Sequence, residues 1–461
     1  MKKRIYTLLL LLTIGFSVHA QELKPFKEGE RVVFLGNSIT HMGYYVSDIW
    51  LYYMTHFPNQ KVYVFNGGSG GDVAGQMNAR FEDDILRMDP DEVVLTFGMN
   101  DSGYFEFWKD DAEQTAKERV AKSLNSFELI QEKFRNNADI TPVIMSSSPY
   151  DETAKIEGSN NFEGKSKTLE EIVAFQEKAA KDNGWAYVDL YHPMLKLTQD
   201  QQKIDSTYTI TGSDRIHPGK PGHLVMASLF LKNQGLAGKV VANVEIDANK
   251  SKLLNSENAE IKLNLSSKYG VSFDYTANSL PFPIDSVSSF WGNSHVQSEA
   301  LAVYPFIKEF NQEIIKVNNL ISGNYKLLID GEKISEFSAD SLSKGVNLAL
   351  FSTTPQYKQA MNIMFLNDHR AEIEVKLREY YWAQFNYFKD KDMLFDDTQE
   401  AYDVASNEKE GFIGSKMGVY KTGRYPEIRE MWENDRKILL DKIYEINKPQ
   451  THKIEIVSIE D

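Results

Sequence analysis

A serine in a turn of small residues and a histidine three residues after an aspartate carry the chemistry legible in this chain. Ser38 lies in Gly36-Asn37-Ser38-Ile39-Thr40, just past the apolar run Val32-Val33-Phe34-Leu35. His217 lies far downstream, in Asp214-Arg215-Ile216-His217-Pro218-Gly219. A serine hydroxyl attacks a carbonyl only when a positioned base takes its proton, and the base needs a partner that orients it. Ser38, His217 and Asp214 could fill these three roles, and the reaction would be acyl transfer. Each has a plainer explanation too: Ser38 as a helix N-cap, Asp214 as a capping residue beside a surface histidine. The Gly-x-Ser-x-Gly nucleophile elbow is not met, because Thr40 stands where its second glycine belongs. A metal pair is poorly served, since His217 and His223 are six residues apart, off the helical ligand spacing.

Acyl transfer also needs N–H groups aimed at the oxygen that becomes negative. The block Asn66-Gly67-Gly68-Ser69-Gly70-Gly71-Asp72 offers backbone N–H groups unobstructed by side chains. It lacks the Gly-x-Gly-x-x-Gly of a dinucleotide site and the Gly-Lys-Ser/Thr of a phosphate loop. Asn100, in Gly98-Met99-Asn100-Asp101, offers a side-chain amide. Glycine and asparagine are also the default residues of ordinary turns.

The elements that must position these residues alternate between strand and helix. β-rich runs at Val32–Leu35, Val62–Phe65, Glu92–Phe97, Pro142–Ser146 and Trp185–Leu190 predict buried parallel strands. Helical spacing at Tyr44–Phe57, Val73–Arg87, Asp111–Arg135, Leu169–Asp182 and Lys220–Leu231 predicts the intervening helices. A doubly wound α/β domain follows, and such sheets bind ligands beyond the carboxyl ends of their strands. Ser38, Gly70-Gly71 and Asn100 each sit just after a strand, so one sheet edge should gather them.

Beyond Lys239 the texture changes, placing a boundary near Gly238. Val241–Ile246, Glu260–Leu265 and Val271–Tyr275 alternate like half-exposed strands, and Tyr325–Ile329 and Lys333–Phe337 flank the hairpin signal Asp330-Gly331. Helices are expected at Pro355–Phe388 and Tyr425–Ile446, and Lys453–Ile459 returns to a strand pattern. The division is thus 28–238, a β-rich 239–350 and a mainly helical 351–450. The aromatics Trp382, Phe385, Tyr387 and Phe388 suit either a core or a sugar-stacking platform.

Residues 1–20 have the form of a secretory signal: basic Lys2-Lys3-Arg4, an apolar run from Leu8 to Phe16, and a small-residue cleavage site ending at Ala20. The run is too short for a membrane span, and no later stretch is long and apolar enough. Export to the periplasm or beyond is expected. The chain has no cysteine, so its stability must come from buried core; 461 residues at 42% hydrophobic supply the material. A formal net charge of −15 disfavours nucleic acid and anionic membranes as partners.

Taken in order, the Ser block (Gly36–Thr40), Gly block (Asn66–Asp72), Gly98–Asp101 and Asp214–His217 resemble the SGNH (GDSL-type) esterases and acetylhydrolases over roughly residues 28–238. The resemblance implies a flavodoxin-like three-layer α/β/α sandwich with a parallel sheet and no cofactor or metal. It implies Ser38 as nucleophile, His217 as base oriented by Asp214, and Ser38, Gly71 and Asn100 as the oxyanion hole, with Gly70 the alternative to Gly71. The family's usual aspartate before the nucleophile is Asn37 here, whose amide can make similar loop hydrogen bonds. The expected function is an exported esterase releasing acetyl or other small acyl groups from a polysaccharide or oligosaccharide. The alternatives are a short-chain lipid esterase or lipase, and a non-catalytic carbohydrate-binding protein on the same fold.

Overall fold

Valine-rich runs buried on both faces form the central sheet of a computed structural model that describes residues 21–287 and 295–459. The leader expected at 1–20 lies outside the described residues. The strands are β1 (Arg31–Gly36), β2 (Tyr63–Gly68), β3 (Glu92–Leu95), β4 (Thr141–Met145) and β5 (Ala186–Val188). They pair in the order β2-β1-β3-β4-β5, every neighbour parallel. The helices between and after them are α1 (Ser38–Met42), α2 (Tyr44–His56), α3 (Ala74–Ala79), α4 (Ala112–Asn136), α5 (Lys165–Asn183), α6 (Tyr191–Gln202) and α7 (Lys220–Asn233). Val32, Phe34, Val64 and Val94 face α2 and α7, whereas Val33, Leu35, Val93 and Leu95 face α3, α4 and α5. The result is the α/β/α sandwich of flavodoxin-like order, in which the strand order reverses between β1 and β3 and opens a crevice at the carboxyl ends.

One helix departs from its expected form. The span Val73–Arg87 is helical only to Ala79, then opens into a wide turn at Phe81–Ile85 and a tight one at Leu86–Met88. The wide turn lets Arg80 and Asp84 enter the interior together, Arg80 Nη1 lying 2.6 Å from Asp84 Oδ2. Widened turns of this kind cost helix geometry and persist where side chains require them.

The C-terminal region builds a two-sheet sandwich and a helical layer. Its strands are β6 (Ala242–Asp247), β7 (Lys252–Glu257), β8 (Ala259–Ser267), β9 (Gly270–Ala277), β10 (Glu313–Asn318), β11 (Asn324–Ile329), β12 (Glu332–Ser338), β13 (Val346–Asn347) and β14 (His452–Ser458). They form sheets of order β13-β10-β6-β7 and β12-β11-β14-β9-β8. Val244, Ile246, Ile315 and Val317 of one sheet meet Phe273, Tyr275, Leu327 and Ile456 of the other in a shared core. The β11–β12 hairpin turns at Asp330-Gly331 with both φ angles positive (52° and 84°), the backbone that makes Asp-Gly a hairpin signal. Short helices α8 (Phe306–Phe310) and α9 (Ala339–Lys344) join these strands, and α10 (Pro355–Ala383), α11 (Gln399–Asn407), α12 (Ile413–Gly423) and α13 (Pro426–Ile446) make the helical layer.

That layer shares the core of the α/β unit. Ile363, Met364, Leu440 and Ile443 pack in the same cluster as Ile49, Tyr52 and Phe230. Trp382, Phe385 and Phe388 are buried, so they serve as core and not as a surface platform. Among the described residues no helix is long and apolar enough to cross a membrane.

A buried ion-pair network joins α10 to the turn after α3. Asp84 accepts from Arg80 Nη1 at 2.6 Å and from Arg378 Nη1 and Nη2, both at 2.7 Å, all three side chains 2% exposed or less. Burial alone would raise the Asp84 carboxyl, but Arg378, Arg80 and Arg87 outweigh it and hold the group well below the usual carboxylate range. Its stabilisation is therefore present above the ordinary carboxylate pKa and lost only as pH falls through the depressed folded value. Asp84→Ala, which leaves the buried Arg378 guanidinium without its carboxylate while Arg80 keeps Asp72, should destabilise the protein by about 3–5 kcal/mol. Urea unfolding of the two proteins checks this, and a loss below about 1 kcal/mol would refute it.

Candidate active site

The sharp exit from β1 creates the first part of the site. Asn37, not Ser38, caps α1: its Oδ1 accepts from Ile39 N at 3.0 Å. Ser38 is thus the first helical residue, half-buried, with its hydroxyl free of capping duty. Thr40, in the elbow's second glycine position, folds its side chain over Gly36, where a Cβ would meet Thr40 Oγ1 at 2.0 Å, so position 36 requires glycine. Its hydroxyl pairs with Tyr45 Oη at 2.9 Å.

The loop before α7 brings the histidine. His217 Nε2 lies 2.8 Å from Ser38 Oγ, and His217 Nδ1 lies 2.6 Å from Asp214 Oδ2. Asp214 Oδ1 also accepts from the backbone N–H groups of Ile216 (3.0 Å) and His217 (2.9 Å), which folds the four residues into one turn. Arg215 holds that turn in a left-handed conformation (φ 67°), strain for a residue with a Cβ. Its buried side chain compensates by donating to Ser159 Oγ (3.1 Å) and Asp151 O (3.0 Å). Burial works to raise the Asp214 carboxyl, yet the hydrogen bonds and charge of His217, with the two backbone donors, keep it below its ordinary value. His223 belongs to the core: it is fully buried, stacked on Tyr45, and accepts from Tyr45 N at 3.2 Å.

The turn after β2 is pressed against α1. A Cβ on Gly68 would meet His41 N at 2.2 Å, so only glycine permits the approach, and Ser69 N donates to Gly36 O at 3.0 Å. Gly71 lies at the exposed rim with φ 86°. Asn100 Nδ2 donates to Asp72 O at 2.9 Å, which sets it beside the Gly71-Asp72 segment and leaves its second amide hydrogen for a ligand. Tyr104 donates to Asn100 Oδ1 at 2.6 Å and fixes which way the amide faces. Asp101, the next residue, is structural, accepting from Ala74 N (3.0 Å), Gly98 N (3.1 Å) and Ser123 Oγ (2.9 Å). Buried Lys165 braces the same loop through Ser102 Oγ and Gly103 O, both at 2.6 Å. Past Tyr104 the chain presents exposed Phe105 and Trp108, packed on Phe162.

Ser38, His217 and Asp214 therefore stand in one hydrogen-bonded line, with Gly71 and Asn100 on the neighbouring turns of the same sheet edge. Such a line can move a proton from serine to imidazole while a carboxylate stabilises the charge that forms. The sequence reading overlooked the groups on α10 that touch the Gly block. Their signal was present: Glu374, Arg378, Trp382 and Asn386 recur every four residues along the predicted helix Pro355–Phe388.

Residues 34–225 match the model of the GDSL-like lipase/acylhydrolase family, and residues 361–448 match that of the diltiazem deacetylase C-terminal helical domain. A solved gut microbial diltiazem-metabolizing enzyme is 44% identical, with a TM-score of 0.92, covering 95% of this chain and 100% of its own. An acetylxylan esterase of Geobacillus stearothermophilus is 22% identical over 223 residues, 45% of this chain and 94% of that protein. A crystal structure of an acetylxylan esterase from the same organism aligns at 19% identity and a TM-score of 0.35, covering 45% of this chain and 95% of its own.

Proposed function

Because this chain belongs to the GDSL-like lipase/acylhydrolase family and is a carboxylic ester hydrolase, we propose that it removes acetyl or similar small acyl groups from oligosaccharides by way of an acyl-enzyme on Ser38. The observation that carries the mechanism is the relay of Ser38 Oγ to His217 Nε2 at 2.8 Å and His217 Nδ1 to Asp214 at 2.6 Å. Ser38 Oγ attacks the ester carbonyl as His217 takes its proton, and the carbonyl oxygen becomes an oxyanion facing the N–H groups of Ser38, Gly71 and Asn100. Collapse breaks the bond to the alcohol, which leaves with the proton from His217. Water, deprotonated by the same histidine, then attacks the acyl-enzyme and frees the acid and Ser38. The basic start, apolar run and small residues before Ala20 support export of the mature enzyme.

The carbohydrate acceptor is supported by the acetylxylan esterase relative and by the exposed rings of Phe105 and Trp108 near Asn100, which suit stacking on a sugar. A second reading, deacetylation of diltiazem, is favoured by the full-length likeness to the diltiazem-metabolizing enzyme. Acid release separates them, read as acetate from acetylated xylan oligosaccharides and from diltiazem and as butyrate from tributyrin. We expect release from the xylan at a rate above that from tributyrin. Release from diltiazem alone would select the second reading, and activity on tributyrin alone would overturn both.

A further inference from the structure

The Gly block carries backbone donors that its own packing does not aim. Beyond their chain neighbours, neither Gly70 nor Gly71 has an atom within 4 Å of where a Cβ would stand. Asp72 N donates to Ser69 O at 3.2 Å and closes the turn, but that bond does not engage the central Gly70–Gly71 peptide, which two adjacent glycines leave free to rock. An oxyanion donor must instead be held before the charge develops. The holding comes from the opposite end of the chain.

Glu374, Arg378, Trp382 and Asn386 lie along α10 and the wide turn Gln384–Phe388 that follows it. Each meets the next step of the chain leaving β2. Glu374 Oε1 accepts from Asn66 N at 3.2 Å, and Arg378 Nε donates to Gly68 O at 3.0 Å. Trp382 Nε1 donates to Gly70 O at 2.7 Å. Asn386 Nδ2 donates to Ser69 Oγ at 3.0 Å and to Asp72 Oδ1 at 2.9 Å. A stripe of every fourth residue drifts by about 40° per step on an α-helix, so it would soon leave a straight segment. The wide turn winds more slowly per residue and returns Asn386 to the loop.

The contact to Gly70 bears directly on catalysis. A peptide group is planar and trans, so the Gly70 carbonyl and the Gly71 N–H point in opposite directions on one rigid unit. Fixing the oxygen fixes the hydrogen. Accepting a bond at the oxygen also polarises the group and strengthens its N–H as a donor. We propose that Trp382 is a positioning residue of the oxyanion hole, aiming the Gly71 N–H, with Asn386 clamping the loop on either side. This gives the C-terminal helical region a part in the active site, and it selects Gly71 over Gly70 as the donor. The inference rests on the acyl-enzyme reading above.

Trp382→Phe removes the N–H while keeping a buried ring. With p-nitrophenyl acetate, kcat should fall about tenfold with KM within a factor of two, because the interaction is realised only in the transition state. Affinity for an alkylboronic acid, whose tetrahedral adduct on Ser38 carries an oxygen in the same place, should fall by a similar factor. Asn386→Ala should act in the same sense, and it carries the test alone if Trp382→Phe fails to fold. Asn100→Ala serves as the control, with an expected loss of ~10²–10³ in kcat. Wild-type kcat and boronate affinity in the α10 variants beside a crippled Asn100→Ala would overturn the positioning role and leave the mechanism standing. A fall in kcat matched by a changed KM, with boronate affinity unmoved, would also overturn it. Wild-type turnover in Asn100→Ala and Ser38→Ala would sink the acyl-enzyme reading itself.

Discussion

Ser38→Ala is expected to lower kcat on p-nitrophenyl acetate by roughly 10⁶-fold, the scale seen when a relay nucleophile is deleted. The loss should leave the fold intact. Ser38 is not the cap of α1, since that bond belongs to Asn37 Oδ1, and alanine is at home in the first helical position. The hydroxyl's partner is the ring of His217, which is 27% exposed and can bond to water instead. Circular dichroism and the thermal midpoint should therefore match the parent. Turnover within tenfold of wild type, measured on protein free of parent enzyme, would show that another group attacks the ester.

The second large effect belongs to Asp214. An asparagine at this position would keep accepting from the N–H groups of Ile216 and His217 through its oxygen, so the turn should survive. Its amide would face His217 Nδ1 and donate to it, leaving Nε2 protonated and unable to accept from Ser38. A wrong tautomer of this kind costs about 10⁴ in kcat. We expect Asp214→Asn to show that loss with an unchanged circular dichroism spectrum, and a loss below tenfold would refute the orienting role. The pH dependence has a definite sign. The Asp214 carboxyl is held below its ordinary value, so it stays charged as pH falls through the usual carboxylate range. Its contribution to stability is present above the unfolded pKa and disappears only below that, through the lower folded value. The Asp214 carboxylate should accordingly not set the acid limb of kcat/KM within the usual carboxylate range.

The role of the helical region ties these effects to the rest of the molecule. Arg378 links the Gly block to the buried pair Arg80–Asp84, and Asn386 and Arg80 grip Asp72 from either side at 2.9 and 2.7 Å. The buried ion-pair network and the Gly block thus share residues, and a change in the helical layer far from Ser38 in sequence should be felt at the Gly block.

Much of this was legible in the residues alone because its causes are local. Apolar β-rich runs alternating with helical periodicity imply the parallel sheet, since each strand is buried on both faces regardless of what lies beyond. The positions after β1, β2 and β3 converge because strands of a parallel sheet end on one edge. The Asp330-Gly331 hairpin follows from two residues that tolerate positive φ. Elsewhere local pattern misled: Val73–Arg87 has helical spacing, but the demand to bury Arg80 and Asp84 beside Arg378 opens the helix after Ala79. That demand comes from a residue about three hundred positions away, and no window of the sequence contains it. Trp382 shows the same limit, because an aromatic in a helical pattern looks like core, and it is core, while its one polar atom is committed to Gly70. The sequence by itself carried the expectation of ester hydrolysis, through the types and order of Ser38, Asn100, Asp214 and His217. Only the tertiary structure decided what else holds the Gly70-Gly71 turn, because glycines encode freedom and the Trp382 and Asn386 side chains that touch the turn come from the far end of the chain.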